Sequence, residues 1–119
     1  MKALGDDYEN RAAALIEESG LCVVERNFRG KTGEIDIVAE DSEQLVFIEV
    51  RARTNHQFES AAGSVNRRKQ QRLVRTAQLF LQHRPRWAGS ACRFDVIAFE
   101  PPQSGSPPQI RWIRGAFTA

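Results

Sequence analysis

Glu34 and Asp36, within Gly33-Glu34-Ile35-Asp36, and Glu49 and Arg51, within Glu49-Val50-Arg51, are the residues of this chain best placed to do chemistry. Residues 34–40 and 45–52 are rich in β-branched side chains, and the polar break Asp41-Ser42-Glu43-Gln44 separates them. That pattern predicts a β-hairpin. A two-residue turn at Ser42-Glu43 sets Asp36 opposite Glu49 and Glu34 opposite Arg51. Because side chains alternate along a strand, all four then share one face. Directly opposed residues have Cβ atoms roughly 4.5–5.5 Å apart. Two carboxylates that close repel unless a cation lies between them, which is the geometry of a divalent-metal site.

Leu45 and Phe47 precede Glu49 on the same face, and a carboxylate beside a packed apolar face is costly unless paired or metal-bound. The competing arrangement pairs Glu34 with Arg51 at the sheet end and leaves Asp36 and Glu49 in solvent. The hairpin pattern alone does not choose between the two.

The elements that must carry these residues are readable. Leu4, Tyr8, Ala12, Leu15 and Ile16 recur at helical spacing over residues 2–19, before Gly20 as a stop. Leu21 to Arg26 reads as a first strand, and the hairpin supplies the second and third. Thr54 to Gly63 is polar and reads as a mobile loop. A long helix is expected from about Ser64, as N-cap, to about His83, before Pro85. Arg93 to Phe99 forms a fourth strand, residues 100–108 a proline-rich loop, and Gln109 to Ile113 a short last strand before the tail. The order α-β-β-β-α-β-β places the chain in the α/β class, with a mixed sheet flanked by helices.

At 119 residues the length suits one domain, residues 1–119. The segment Met-Lys-Ala-Leu-Gly-Asp-Asp carries acids where a signal peptide needs a basic and then an apolar run, and no apolar stretch approaches a membrane span. Cys22 and Cys92 lie far apart inside expected strands and read as reduced core residues. A soluble, cytoplasmic protein is the expectation. The net charge is only +2, yet no acidic residue occurs from Ser60 to Phe94. Arg67, Arg68, Lys69, Arg72, Arg75, Arg84, Arg86 and Arg93 all fall there, while thirteen of the fifteen acids lie at or before Glu59. A solvated helix face can look like this. So does a polyanion-binding surface beside an acidic metal site.

Each helix carries one polar residue in a telling place. Glu9 lies at the edge of the first apolar stripe. Lys69 falls within the arc of Val65, Leu73, Ala77, Phe80 and Leu81, whereas Arg68, Arg72 and Arg75 cluster on a polar flank. A lysine there ordinarily snorkels to solvent along its own stem.

These blocks together carry a resemblance: Gly5…Glu9…Ala12, Arg26-Asn27-Phe28-Arg29, Gly33-Glu34-Ile35-Asp36, Val46 through Arg53, Val65…Lys69-Gln70-Gln71-Arg72-Leu73…Ala77, and Arg93-Phe94-Asp95-Val96. The chain resembles the YraN family of small bacterial proteins, up to about Phe99. That family is similar to the restriction-endonuclease-like superfamily and, within it, to archaeal Holliday-junction resolvases. The resemblance implies a central mixed sheet and a nuclease-type site of the pattern acid, Asp, Glu-x-Lys. On this chain Glu9 matches the helix acid, Asp36 and Glu49 the strand acids, and Arg51 stands where the lysine belongs. A guanidinium stays protonated and cannot serve as a base. Either Arg51 acts as an electrostatic clamp, or Lys69 takes over, or catalysis is lost.

The function so implied is a Mg²⁺- or Mn²⁺-dependent nuclease, or a derived nucleic-acid-processing protein, acting on branched or single-stranded DNA. Asp36, Glu49 and the Val50 carbonyl would hold a weakly bound ion, and Glu9 would assist through water. Hard oxygen ligands suit magnesium, and His and Cys ligands are missing. Arg53, Arg68, Lys69, Arg72 and Arg75 are the candidate phosphate contacts. The alternatives are a non-catalytic nucleic-acid-binding protein and a protein-interaction module whose acidic hairpin docks a basic partner. DNA and a second copy of the chain are the candidate partners.

Overall fold

β-Branched and apolar residues alternating over short segments build five strands, and two helical repeats of apolar residues cover them. In the computed structural model the elements run α1 (Ala3–Glu18), β1 (Cys22–Gly30), β2 (Gly33–Asp41), β3 (Gln44–Ala52), α2 (Arg67–His83), β4 (Ala91–Glu100) and β5 (Gln109–Phe117). Short 3₁₀ turns occupy Ala62–Ser64 and Pro85–Trp87. The structure describes residues 3–42, 44–53, 61–101, 105, 107 and 109–119. The expected mobile loop falls largely on residues 54–60, and the proline-rich segment partly on 102–104, 106 and 108, outside the described residues.

The sheet order is β1-β2-β3-β4-β5. All neighbours are antiparallel except β3 and β4, which run parallel and are joined by the crossover that contains α2. This is the expected α-β-β-β-α-β-β mixed sheet with two flanking helices, and it is consistent with a restriction-endonuclease-like fold. No described helix is long and apolar enough to cross a membrane.

The two helices cover opposite sheet faces. Ala12 and Ile16 of α1 pack with Ile37, Ala39, Val46, Ile48, Ile97 and Phe99. Leu73, Ala77 and Phe80 of α2 pack with Val38, Leu45, Phe47, Phe94, Val96 and Ala98. Strand alternation therefore sorts β3 into Leu45 and Phe47 beneath α2 and Val46 and Ile48 beneath α1. Aromatic contacts fix the α2 layer: Phe80 meets Phe28 and Phe47 edge-on, with ring centroids 5.2 and 5.7 Å apart.

Several boundaries differ from expectation. The N-cap of α2 is Asn66, whose side chain accepts from the Lys69 amide at 3.0 Å. Ser64 cannot cap because its hydroxyl donates to the Ala61 carbonyl at 2.6 Å inside the preceding turn. Cys22 and Cys92 are exposed rather than core residues. Cys22 opens β1 and Cys92 is the second residue of β4, at the sheet margin where the two apolar layers do not reach. β1 extends to Gly30 and β5 to Phe117.

The length of β5 follows from one buried acid. Asp95 is 1% exposed. It accepts from Arg93 at 2.9 and 3.1 Å, from the Trp112 indole at 2.9 Å and from the Gly115 amide at 2.9 Å. Gly115 adopts φ 59, which suits glycine, as the strand shifts register against β4. Phe117 then stacks on Phe94 at 5.0 Å. Asp95→Ala would leave Arg93, Trp112 and the Gly115 amide without their acceptor. A loss of about 3 kcal/mol in unfolding free energy is expected. The urea midpoint checks it, and an unchanged midpoint would remove Asp95 as the anchor of β5.

Candidate functional site

The hairpin register places the acids. Pairing runs from Asp41 with Gln44 to Ile37 with Ile48, so the next step sets Asp36 opposite Glu49, as the sequence spacing predicts. The ladder ends at that point: the Val50 amide is taken by the Asp36 carboxylate at 2.8 Å instead of by a strand carbonyl. The strand ends border a cavity of about 300 Å³, lined by Glu34, Asp36, Glu49 and Arg51 from the hairpin and by Lys69 and Arg72 from α2. All four hairpin residues therefore border one cavity at the strand ends.

Glu34 and Arg51 are not partners of each other. Glu34 accepts from Arg29 of β1 at 2.9 Å. Arg51 donates to the Ser64 hydroxyl at 2.9 Å and lies 3.5 Å from Glu49. Asp36 and Glu49 do not point into open solvent; the Glu49 side chain is 14% exposed.

That shelter sets the electrostatics. Burial pushes the Glu49 carboxyl up to about 8, and the neighbouring Asp36 charge adds to the effect, against the pull of Arg51 and Lys69. Asp36 is also raised, first by burial, although the Val50 amide and the hydrogen bond from Glu49 work the other way. Burial thus favours the protonated form of both carboxyls, and the hydrogen bond between them favours the proton on Glu49.

Glu9 reaches the same end of the sheet from the opposite face, and its charge raises the Asp36 pKa further. One of its oxygens accepts from Arg26 at 2.9 and 3.0 Å and from the Asn27 amide at 3.0 Å. Asn27 adopts φ 57, a left-handed conformation that asparagine tolerates. It breaks the alternation of β1, so Arg26 turns to Glu9 while Phe28 packs beneath α2. Among the described residues no three His, Cys, Asp or Glu side chains converge as a metal cage. Glu9, expected to assist an ion through water, is held on the α1 side by the Arg26 guanidinium and the Asn27 side-chain amide, and acts on Asp36 by charge. The donor set on offer is two carboxylates with an adjacent backbone carbonyl. That fits a hard divalent ion that keeps waters and takes further oxygens from a substrate.

The basic residues divide. Lys69 lies close enough to lower the Glu49 pKa, so it turns inward to the cavity. Arg72 borders the same cavity, packed over Gly33, where a Cβ would come within 3.1 Å of the Arg72 Cδ. Gly33 also has φ 144, so this position is doubly a glycine position. Arg68 is exposed, and Arg75 lines a different groove. Arg53 follows β3, its amide donating to Phe99 at 3.1 Å.

Sequence reasoning missed the support behind Arg51. The Glu100 carboxylate accepts from the Ala61 and Ala62 amides at 2.7 and 3.2 Å, closing the turn that buries Ser64. No short-range pattern signals a contact made across so much intervening chain.

The model of an uncharacterised protein family, UPF0102, matches residues 8–99 of the chain. A UPF0102 protein of Pseudomonas aeruginosa strain LESB58 is 40% identical, covering 97% of this chain and 92% of its own. One from Stutzerimonas stutzeri strain A1501 is 44% identical, over 95% and 92% respectively. One from Pseudomonas fluorescens strain Pf-5 is 42% identical, over 95% and 91%.

The raised Glu49 carboxyl has a thermodynamic signature. Between the ordinary glutamate value of 4.5 and about 8 the folded chain keeps a proton that the unfolded chain has released. Its stabilising contribution is full below the lower value and is lost as pH rises through the upper one. In metal-free buffer, thermal stability should therefore fall across that window. Glu49→Gln should flatten the fall by at least about 1 kcal/mol, roughly 4 °C in Tm near the upper end. Parallel melting profiles for the two proteins would show that Glu49 titrates normally.

Proposed function

We propose that this chain, which belongs to the UPF0102 or YraN family, is a divalent-metal-dependent nuclease acting on branched or single-stranded DNA. The observation that carries this reading is the sheltered Asp36–Glu49 pair, set opposite each other in a cavity bordered by Lys69 and Arg72. Sheltered carboxylates beneath a helix devoid of acids suit a phosphodiester better than a neutral ligand. An Mg²⁺ or Mn²⁺ ion held by Asp36 and Glu49 would supply Lewis-acid polarisation and an acidified water.

The chain's own residues divide the remaining work. Asp36, fixed by the Val50 amide, orients the donor set. Lys69 presents an ammonium beside Glu49, where negative charge on a phosphate in transit needs balancing. Arg51 is a clamp: Ser64 fixes its guanidinium and Glu49 lies beside it, so it can stabilise charge but cannot accept a proton. Glu9 adds negative charge at a distance and favours cation capture.

The test is cleavage of duplex, flap, junction and single-stranded DNA with Mg²⁺ or Mn²⁺. Cutting should be lost in Asp36→Asn. Lys69→Ala should lower the rate roughly 10²-fold or more, the worth of a lost transition-state charge contact, while Arg51→Lys retains activity. If Arg51→Ala is silent and Lys69→Ala inactive, Lys69 has taken the place of the missing lysine.

The second reading is nucleic-acid binding without hydrolysis, favoured by the anchoring of the Arg51 guanidinium in the position that the resemblance gives to lysine. A protein that cuts nothing with either metal, yet binds DNA steeply salt-dependently, meets it. Under both readings the exposed arginines contact phosphate. Replacing Arg68, Arg72 and Arg75 together with Gln should weaken DNA binding and flatten the salt slope by up to about three units. An unchanged slope would make them a solvated surface.

A further inference from the structure

Helix α2 has a second flank. Away from the acidic cavity it borders an open groove of about 840 Å³ that shares no residue with that cavity. Arg67, Gln70, Gln71, Arg75 and Gln78 line it from the helix and Phe117 from β5. Among the described residues no Asp or Glu side chain lines it, although Thr118 and the terminal Ala119 border one end. Arg67 and Gln78 are roughly 16 Å apart along the helix axis, so the groove is a track rather than a point site.

From this geometry we infer that the groove binds a segment of single-stranded polynucleotide, with phosphates on Arg67 and Arg75 and unpaired base edges on the glutamine amides. The inference rests on the reading that the neighbouring cavity handles nucleic acid, and it adds where a strand runs when it is not in that cavity. The arginines supply charge for a polyanion. A primary amide carries two donors and one acceptor group, which match the edges of bases. A duplex hides the Watson–Crick edges, whereas an unpaired strand presents them. The Gln70 amide nitrogen donates to the Val65 carbonyl at 3.1 Å, which fixes that side chain. Gln71 and Gln78 are exposed. Phe117, stacked on Phe94 at 5.0 Å, is a rigid aromatic wall beside the track. A strand crossing over the exposed Arg68 would link the groove to the cavity bordered by Lys69 and Arg72.

The test uses the full chain in EDTA, so that cleavage plays no part. Fluorescence anisotropy is read with one mixed sequence as labelled single-stranded DNA, as RNA and as duplex DNA. Arg67→Gln should lower the salt slope on the single strand by about 0.7, the value of one phosphate contact. Arg67→Gln combined with Gln78→Glu should weaken single-strand binding at least about tenfold and duplex binding far less. Gln71→Glu is an independent second variant, and Arg86→Gln, outside the groove, should bind as the unmodified protein does. The arm bound more tightly, DNA or RNA, names the polymer.

Unchanged single-strand binding in both groove variants overturns the inference, and so does an equal loss on duplex and single strand. The nuclease reading fails separately. Absence of cutting with either metal, alongside Arg67-dependent strand binding, leaves the groove standing; cutting without that dependence removes the groove and leaves the nuclease. A chain that binds no nucleic acid in any arm sinks both.

Discussion

Two carboxylates a hydrogen bond apart and mostly out of water cannot both be charged without a cation between them. In this chain the constraint falls on Asp36 and Glu49, and much of the molecule is arranged around it. The hairpin brings the pair together, α2 keeps water away, and Arg51 and Lys69 bring positive charge without neutralising the site completely. Glu49 remains protonated near neutrality although two cations stand beside it. Burial and the Asp36 charge therefore outweigh them. On the proposed reading a metal ion would supply the balancing charge in place of that proton.

The parallel pairing of β3 with β4 follows from the same arrangement. A parallel neighbour requires a crossover, and here the crossover carries α2 back over the sheet. The acid-free helix consequently lies over the strand that presents Glu49. Gly33 lets α2 approach the hairpin closely, since any Cβ there would press on Arg72. The contact between Thr32 and the buried Thr76, 2.7 Å apart, pins the β1–β2 turn to the helix. Helix position, cavity width and the proximity of Lys69 to Glu49 are thus one packing problem.

The hairpin and its face were legible because the signal is local. Two β-branched runs interrupted by one short polar break leave room only for a tight turn, and the turn fixes the register that brings Asp36 opposite Glu49. The inward placement of Lys69 was legible for the same reason, from helical periodicity. What could not be read depends on contacts distant in sequence. Asn27 looks like an ordinary strand residue, yet its left-handed backbone swings Arg26 toward Glu9. Ser64 has the composition of a helix cap but is claimed by Arg51 and by a turn that Glu100 closes. The cysteines were misplaced because β character does not tell the middle of a strand from its end.

The support behind Arg51 bears on why an arginine can stand at that position. A lysine there would have a flexible stem and a single charged point, free to approach Glu49 or the substrate. A guanidinium has a planar set of donors, and one of them is committed to Ser64 at 2.9 Å. The Ser64 turn is held in turn by Glu100 on β4, which also lies 3.7 Å from Arg111 of β5. Arg51 is therefore braced by the far side of the sheet. A braced charge suits fixed electrostatic stabilisation, where reorganisation is a cost. It does not suit proton transfer, which needs a group that can lose its charge. Lys69, close to Glu49 and carried on a different element, is the nearby cation whose chemistry permits that role. On the nuclease reading proposed above, the site would divide between two residues the tasks that a single lysine combines.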